Sequence, residues 1–218
     1  MPPATVTAAI AAFLVGAGLG WWPLAAWTVR SLRSREGARV PVRTLRVAAA
    51  VITAVTFAAV VLRFGLAWIV PALLVFAASA TVLTLVDLAE KRLPNAVIFP
   101  ATGTIALLLV PPTWATGEWI ALAWAALGAV AMFAVYFLLA LISPSSMGMG
   151  DVKLALPLGL LLGWFGVNAW LIGLLAAFVI GGVVAVIALA LRRVTLRGSI
   201  PFGPSMLAGA LLAALLAG

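Results

Sequence analysis

The stretch "NAWLIGLLAAFVIGGVVAVIALAL", residues 168–191, runs for 24 residues without a charged side chain. About 20 apolar residues carry a helix across the hydrocarbon core of a bilayer, so this segment alone is long enough to span one. The rest of the chain is of the same kind: 66% of its 218 residues are hydrophobic and 8% are charged. In lipid, backbone N–H and C=O groups must be satisfied inside a helix or a closed barrel, and the alternation of apolar and polar residues that marks barrel strands is missing. The expected fold class is all-α, a polytopic transmembrane helical bundle of about eight spans (six to eight).

Apolar runs read against charges, prolines and glycines place helices near 5–29, 47–62, 66–86, 96–110, 118–142, 152–164, 168–191 and 204–217. The segments 152–164 and 204–217 set the lower bound of six. The opening "MPPATVTAAIAAFLVGAGLG" has no basic start and its apolar run continues through Trp27, so it reads as a retained first span. With the N-terminus outside, 12 of the 13 Lys and Arg fall on one side, in the loops holding Arg30 to Arg46, Lys91 and Arg92, Lys153, and Arg192 to Arg197; Arg63 alone is opposite. Basic residues gather on the cytoplasmic side of membrane proteins, which orients the bundle. No internal repeat or separate soluble region is visible, so residues 1–218 read as a single integral-membrane domain whose largest polar loop is the Arg-rich stretch 30–46.

A formal charge of +8 would suggest nucleic acid for a soluble protein. Here the arginines sit in short loops between spans and mark topology, so membrane lipid is the expected surrounding and no nucleic acid is expected. The chain has no histidine and no cysteine. A His-ligated zinc site, a Ser-His dyad, a Cys-His pair, an iron–sulfur cluster and a disulfide are excluded. Proton chemistry falls mainly to five carboxylates: Glu36, Asp87, Glu90, Glu118 and Asp151. Glu118, at the outer end of a span, reads as an N-terminal helix charge.

Asp87 closes the third expected span and Asp151 opens the sixth, which puts both at the cytoplasmic end at similar depth. Two carboxylates at such a boundary are the minimum kit for acid–base hydrolysis of a peptide bond. One, ionised, takes a proton from water while the other, protonated, serves the carbonyl and then the leaving amine. Like charges a few ångströms apart resist double ionisation, so such a pair holds one proton. Helix dipoles would make Asp151, at a helix start, the base and Asp87, at a helix end, the proton donor. In "MGMGDVKL", residues 147–154, Gly148 and Gly150 can take backbone angles closed to other residues and let a substrate backbone approach Asp151. The stretch is no phosphate loop, because the Gly-Lys-Ser/Thr ending and a preceding strand are absent. Plainer alternatives remain: Asp151 caps its helix, Asp87 with Lys91 and Arg92 is a solvated charge cluster, and Lys153 marks the membrane boundary instead of tuning Asp151 or binding a lipid phosphate.

Three stretches in order, "VDLAEKRLPN" (86–95), "MGMGDVKL" (147–154) and "IPFGP" (200–204), resemble the successive motifs of the type IV prepilin peptidases, membrane aspartyl proteases of the GxGD type. The resemblance runs from about Asp87 to the C-terminus, with a looser match in the first span. The first family aspartate precedes a Leu-Pro pair and maps onto Asp87 before Leu93 and Pro94; the second maps onto Asp151 behind Gly148, Met149 and Gly150, 64 positions further on. The resemblance implies a multi-pass protein of the inner (plasma) membrane that removes the N-terminal leader of prepilins or pseudopilins at the cytoplasmic face, with Asp87 and Asp151 catalytic. Gly148, Gly150, Lys153, Leu93, Pro94, Pro201, Phe202, Gly203 and Pro204 would then bind substrate or shape the site. Larger members carry a cytoplasmic domain with paired cysteines between the first two spans and also methylate the new N-terminus. Here that region is the cysteine-free stretch 30–46, so peptidase activity alone is implied, with no cofactor and no metal.

A rival of another class is a proton- or cation-coupled membrane transporter using the two aspartates, since carboxylates within membranes mark ion paths. Against it, both aspartates fall at one face instead of the midplane, and no repeated halves are visible. Proteases of the presenilin kind pair GxGD with a Tyr-Asp motif, whereas Val86 precedes Asp87 and the sole tyrosine is Tyr136.

Overall fold

The computed structural model describes residues 3–33, 40–143, 147–191 and 200–218. Among them the chain forms eight helices and no strand: α1 (Pro3–Ser31), α2 (Val42–Phe64), α3 (Val70–Glu90), α4 (Asn95–Thr116), α5 (Ile120–Ile142), α6 (Met149–Trp164), α7 (Val167–Ala190) and α8 (Gly203–Ala217). Six of these, all but α6 and α8, are long and apolar enough to cross a membrane. The chain is a multi-pass, all-α membrane protein.

Several boundaries differ from expectation, each for a local reason. Gly65, at φ 62°, ends α2, and α3 begins only at Val70, where Pro71 suits a first turn whose N–H groups have no partner within the helix. At its other end the helix formers Leu88, Ala89 and Glu90 carry α3 past 86 until Lys91 turns left-handed (φ 50°, ψ 43°). Asp87 therefore lies inside the last turn. The expected outer loop "PPTWATGE" is mostly helix: Pro111 and Pro112 fall in the first turn of a segment Val110–Thr116, and Gly117 (φ 73°) closes it. The polar stretch 30–46 is narrower than expected, because Arg30 belongs to α1 and Arg43 and Arg46 to α2. Its middle, 34–39 with Glu36, and the loop from Arg192 to Arg197 lie outside the described residues. In α1 a π-helical turn, Gly20–Leu24, absorbs Pro23 and lets the helix run on.

Lipid tails are as apolar as leucine, so helices in a membrane associate by close fit more than by the hydrophobic effect. Glycine supplies that fit in three helix pairs. Gly16 and Gly20 of α1 lie on the backbone of Thr53 and Ala49 in α2, Gly128 of α5 faces Gly159 of α6, and Gly209 of α8 lies on Ala177 of α7. A Cβ on Gly159 would stand 2.3 Å from the Gly128 carbonyl oxygen, and one on Gly20 2.4 Å from that of Ala49, so these seams open if alanine enters. Between the pairs, α3 packs on α2, α4 and α8, and α6 on α4, α5, α7 and α8. Buried Thr53 and Thr81 share a hydrogen bond of 3.1 Å across α2 and α3.

The two shortest helices decide where the site lies. With 16 and 15 residues, α6 and α8 extend about 24 and 22 Å, short of the ~30 Å hydrocarbon core. Both are enclosed by protein: nine residues of α6 and eight of α8 are buried. A helix end at membrane depth is tolerated where protein surrounds it or water reaches it. The starts of α6 and α8 meet the end of α3 in such a place.

Candidate active site

Asp87, in the last turn of α3, is 4% exposed, and its Oδ2 accepts the Gly203 N–H from the start of α8 at 3.1 Å. Asp151, the third residue of α6, is half-buried, and its Oδ2 accepts the Gly148 N–H at 3.3 Å. Gly148 holds the cap position, so Asp151 reaches back to the cap's N–H and does not cap the helix itself. Both carboxylates line one cavity of about 250 Å³ with Leu93, Asn95, Gly150 and Lys153, and they lie within electrostatic reach of each other. At ~30 Å³ per water, the space admits a peptide group together with a water. Lys91 and Arg92 stand at its rim.

Leu93 lies between the two glycine motifs. It is 6% exposed, on the turn between α3 and α4, and it touches both glycine motifs. A Cβ on Gly150 would stand 3.1 Å from Leu93 Cβ; one on Gly203 would stand 2.8 Å from Asp87 Oδ2 and 3.2 Å from Leu93 Cδ2. At both positions glycine serves close approach. The expected use of unusual backbone angles does not apply at Gly148, whose φ of −81° and ψ of 149° are ordinary extended values. Pro94 caps α4, its carbonyl accepting N–H groups of Val97 at 3.0 Å and Ile98 at 3.2 Å. Lys153 Nζ donates to Asn95 Oδ1 at 3.3 Å, tying α6 to the first turn of α4.

Besides Pro94 and Gly203, which do not line this cavity, three further candidate residues lie off it. The Phe202 ring packs against Phe178, with centroids 5.4 Å apart, and against Tyr136 at 6.4 Å. Pro201 lines a separate apolar space with Phe178 and Gly181, and Pro204 faces Thr84 on another side of α8. Tyr136 and Asn95 were not singled out from the sequence. Tyr136 is buried, stacks on Phe178 at 5.8 Å and lies within electrostatic reach of Asp151. Its only signal in sequence is a lone tyrosine in an apolar helix; that of Asn95 is its place directly after Leu93 and Pro94.

The dipole argument for unequal roles loses its footing here. Asp87 ends one helix but accepts an N–H from the start of another, so each aspartate faces one helix N-terminus. Each carboxylate is held by one N–H at a helix start, and Asp87 is the more enclosed of the two.

No solved structure matches the chain. Over 169 residues the sequence is 30% identical to a protein of Bacillus subtilis (strain 168) named prepilin leader peptidase/N-methyltransferase. The match covers 76% of this chain and 64% of that relative, so the chain spans less than two thirds of the relative's length. The sequence model of the type IV leader peptidase family matches residues 74–186, more than half of the chain, a range that holds both aspartates, Leu93, Pro94 and the glycines before Asp151. The chain belongs to the type IV leader peptidase family.

Proposed function

We propose that the protein is a membrane-embedded aspartic endopeptidase that removes the N-terminal leader of type IV prepilins or pseudopilins at the cytoplasmic face of the inner membrane, with Asp87 and Asp151 as its catalytic residues. The observation that carries this reading is the shared cavity: the only two aspartates of the chain, 64 positions apart, line one space at the end of the bundle. The orientation is supported by the basic residues, since Arg33, Lys91, Arg92 and Lys153 gather at that same end while Arg63 lies at the other. The whole chain, 1–218, acts as one peptidase domain, and cleavage alone is proposed, because the stretch 30–46 holds no cysteine.

The chemistry follows from a pair that shares one proton. The ionised carboxylate takes a proton from a water, whose oxygen attacks the scissile carbonyl carbon. The protonated partner hydrogen-bonds the carbonyl oxygen and then delivers its proton to the amide nitrogen as the C–N bond breaks. The leader leaves with a new carboxylic acid and the mature chain with a new amine, and these exchange a proton in water. The proton has then changed sides within the pair. Gly203 and Gly148 fix the two side chains, Leu93 spaces them, and the absent side chain at Gly150 lets Leu93 pack against the start of α6.

Co-expression with a prepilin, followed by mass spectrometry of its N-terminus, tests the reading. The expected result is a shorter chain with one new N-terminus, dependent on both aspartates. An unprocessed prepilin beside abundant, folded protein would overturn it.

A further inference from the structure

The turn that carries Leu93 is bolted to the first helix through a carboxylate that the hydrolysis does not use. The Glu90 side chain, three residues after Asp87, is 2% exposed, against 34% for its partner Arg92. Its Oε1 accepts the Arg33 N–H at 2.6 Å, and its Oε2 accepts Arg92 Nε at 3.3 Å and Nη2 at 3.1 Å. Arg92 Nη2 also donates to the Ser31 carbonyl at 2.5 Å. Two backbone groups at the end of α1 and two side chains astride Lys91 thus form one network. Lys91 itself holds a left-handed conformation that a side-chain-bearing residue keeps only where its surroundings impose it. One residue beyond Arg92 stands Leu93, in contact with the backbone of Gly150 and with Gly203 beside Asp87.

Stability is a weak reason for such a network. A buried ion pair gains little over well-packed apolar side chains, because both charges give up water. Its geometry, however, fixes a turn in a way that apolar packing does not: the planar guanidinium reaches a carboxylate and a main-chain carbonyl at once.

We propose that Glu90 is a positioning residue for the carboxylate pair: through Arg92 and the main chain of Ser31 and Arg33 it fixes the turn from Lys91 to Leu93, and that turn sets the separation of Asp87 and Asp151. The kinetic part of the test rests on the hydrolytic reading of the pair; the distance part does not. Around the pair stand Lys91 and Arg92 on the turn, Lys153 on α6 and Tyr136 on α5, while α8 contributes the Gly203 N–H.

R92K keeps the charge but replaces the planar fork with a single ammonium that cannot reproduce its contacts to Glu90 and Ser31. In the purified full chain, kcat should fall about tenfold with KM changed less than about twofold, since misplaced groups slow chemistry more than binding. The two limbs of the pH–rate profile should also draw together, because carboxylates further apart couple less. E90Q should draw the limbs together and move both in the same direction, since a negative charge is gone as well. Spin labels on cysteines at Ala96 on α4 and Met149 at the start of α6, both exposed in a cysteine-free chain, supply the independent arm. Their distance distribution should broaden in R92K. Unchanged distances and limb spacing in R92K, with only thermal stability lowered, would reduce the network to a brace and overturn the proposal. A wild type that cuts no prepilin while R92K still broadens the distances would sink the hydrolytic reading and leave the positioning role standing.

Discussion

The two ends of the bundle share α4, α6 and α8 and do opposite things. At one end α3, α4, α6 and α8 leave a cavity with two carboxylates. At the other, α2 joins α4, α6 and α8 to close the bundle: Trp164 Nε1 donates to Thr113 Oγ1 at 2.8 Å, the Phe165 ring lies 5.1 Å from Trp164 and 5.8 Å from Phe64, and Arg63 Nε donates to the Leu215 carbonyl at 2.9 Å in the last turn of α8. The carboxylate at the closed end, Glu118, is exposed. Helix ends always leave backbone groups without partners inside the helix. At the closed end Arg63 meets one of them, the Leu215 carbonyl, and the remaining contacts join side chain to side chain, which serves stability. The open end turns the free N–H groups of α6 and α8 onto Asp151 and Asp87, so the same necessity holds reactive groups in place.

Substitutions should respect that division. D87N and D151N should each lower cleavage by at least about a thousandfold, the upper range for one acid–base group, with expression and folding kept. R63A and W164F should leave cleavage within about twofold and lower only the thermal midpoint, as expected for exposed or single hydrogen-bond contacts. A comparable loss of cleavage in either would break the contrast. One step smaller, glycines of the two kinds should part company. G203A puts a methyl 2.8 Å from Asp87 Oδ2 and should cost about tenfold to a hundredfold in kcat. G159A, in the seam 2.3 Å from Gly128, should cost about 1–3 kcal/mol of stability while the folded fraction keeps its specific activity. Specific activity and thermal midpoint measured on the same samples decide between them. K153A should show a several-fold loss, since it frees Asn95 and the first turn of α4 without touching either aspartate. The mildest change marks the sides of the membrane: a cysteine at Ala96 should react with an impermeant reagent from the cytoplasm only, and one at Leu66, 86% exposed in the turn after α2, from the opposite side only. The reverse labelling would invert the orientation.

Much of this was legible in the sequence because membrane spans are coded by local composition. Runs such as 168–191 need no tertiary context, and the expected span nearly coincides with α7 (Val167–Ala190). The pair Asp87 and Asp151 stood out because charge is scarce, and the motif around each resembled a known family. Boundaries were harder wherever glycine or proline acted at a distance from charge: Gly65 delays α3, and Pro111 with Gly117 turns an expected loop into helix. The roles of Gly203 and Leu93 were visible only as a resemblance, because their physical reason is a contact between residues 116 positions apart in the chain. The Glu90 network was hidden for the same reason. Its partners Ser31 and Arg33 belong to another helix end, and a cluster reading "EKR" looks in sequence like a solvated boundary.

The central claim is that Asp87 and Asp151 act as one catalytic unit, and a double-mutant cycle on purified protein tests it most directly. Residues that act together lose nearly everything when either is removed, so the second loss has little left to take. Cleavage of a prepilin by wild type, D87N, D151N and the double variant should therefore fall to the same floor in all three variants, with the double variant no slower than either single one beyond about twofold. Independent losses that multiply, or substantial cleavage by either single variant, would contradict the account.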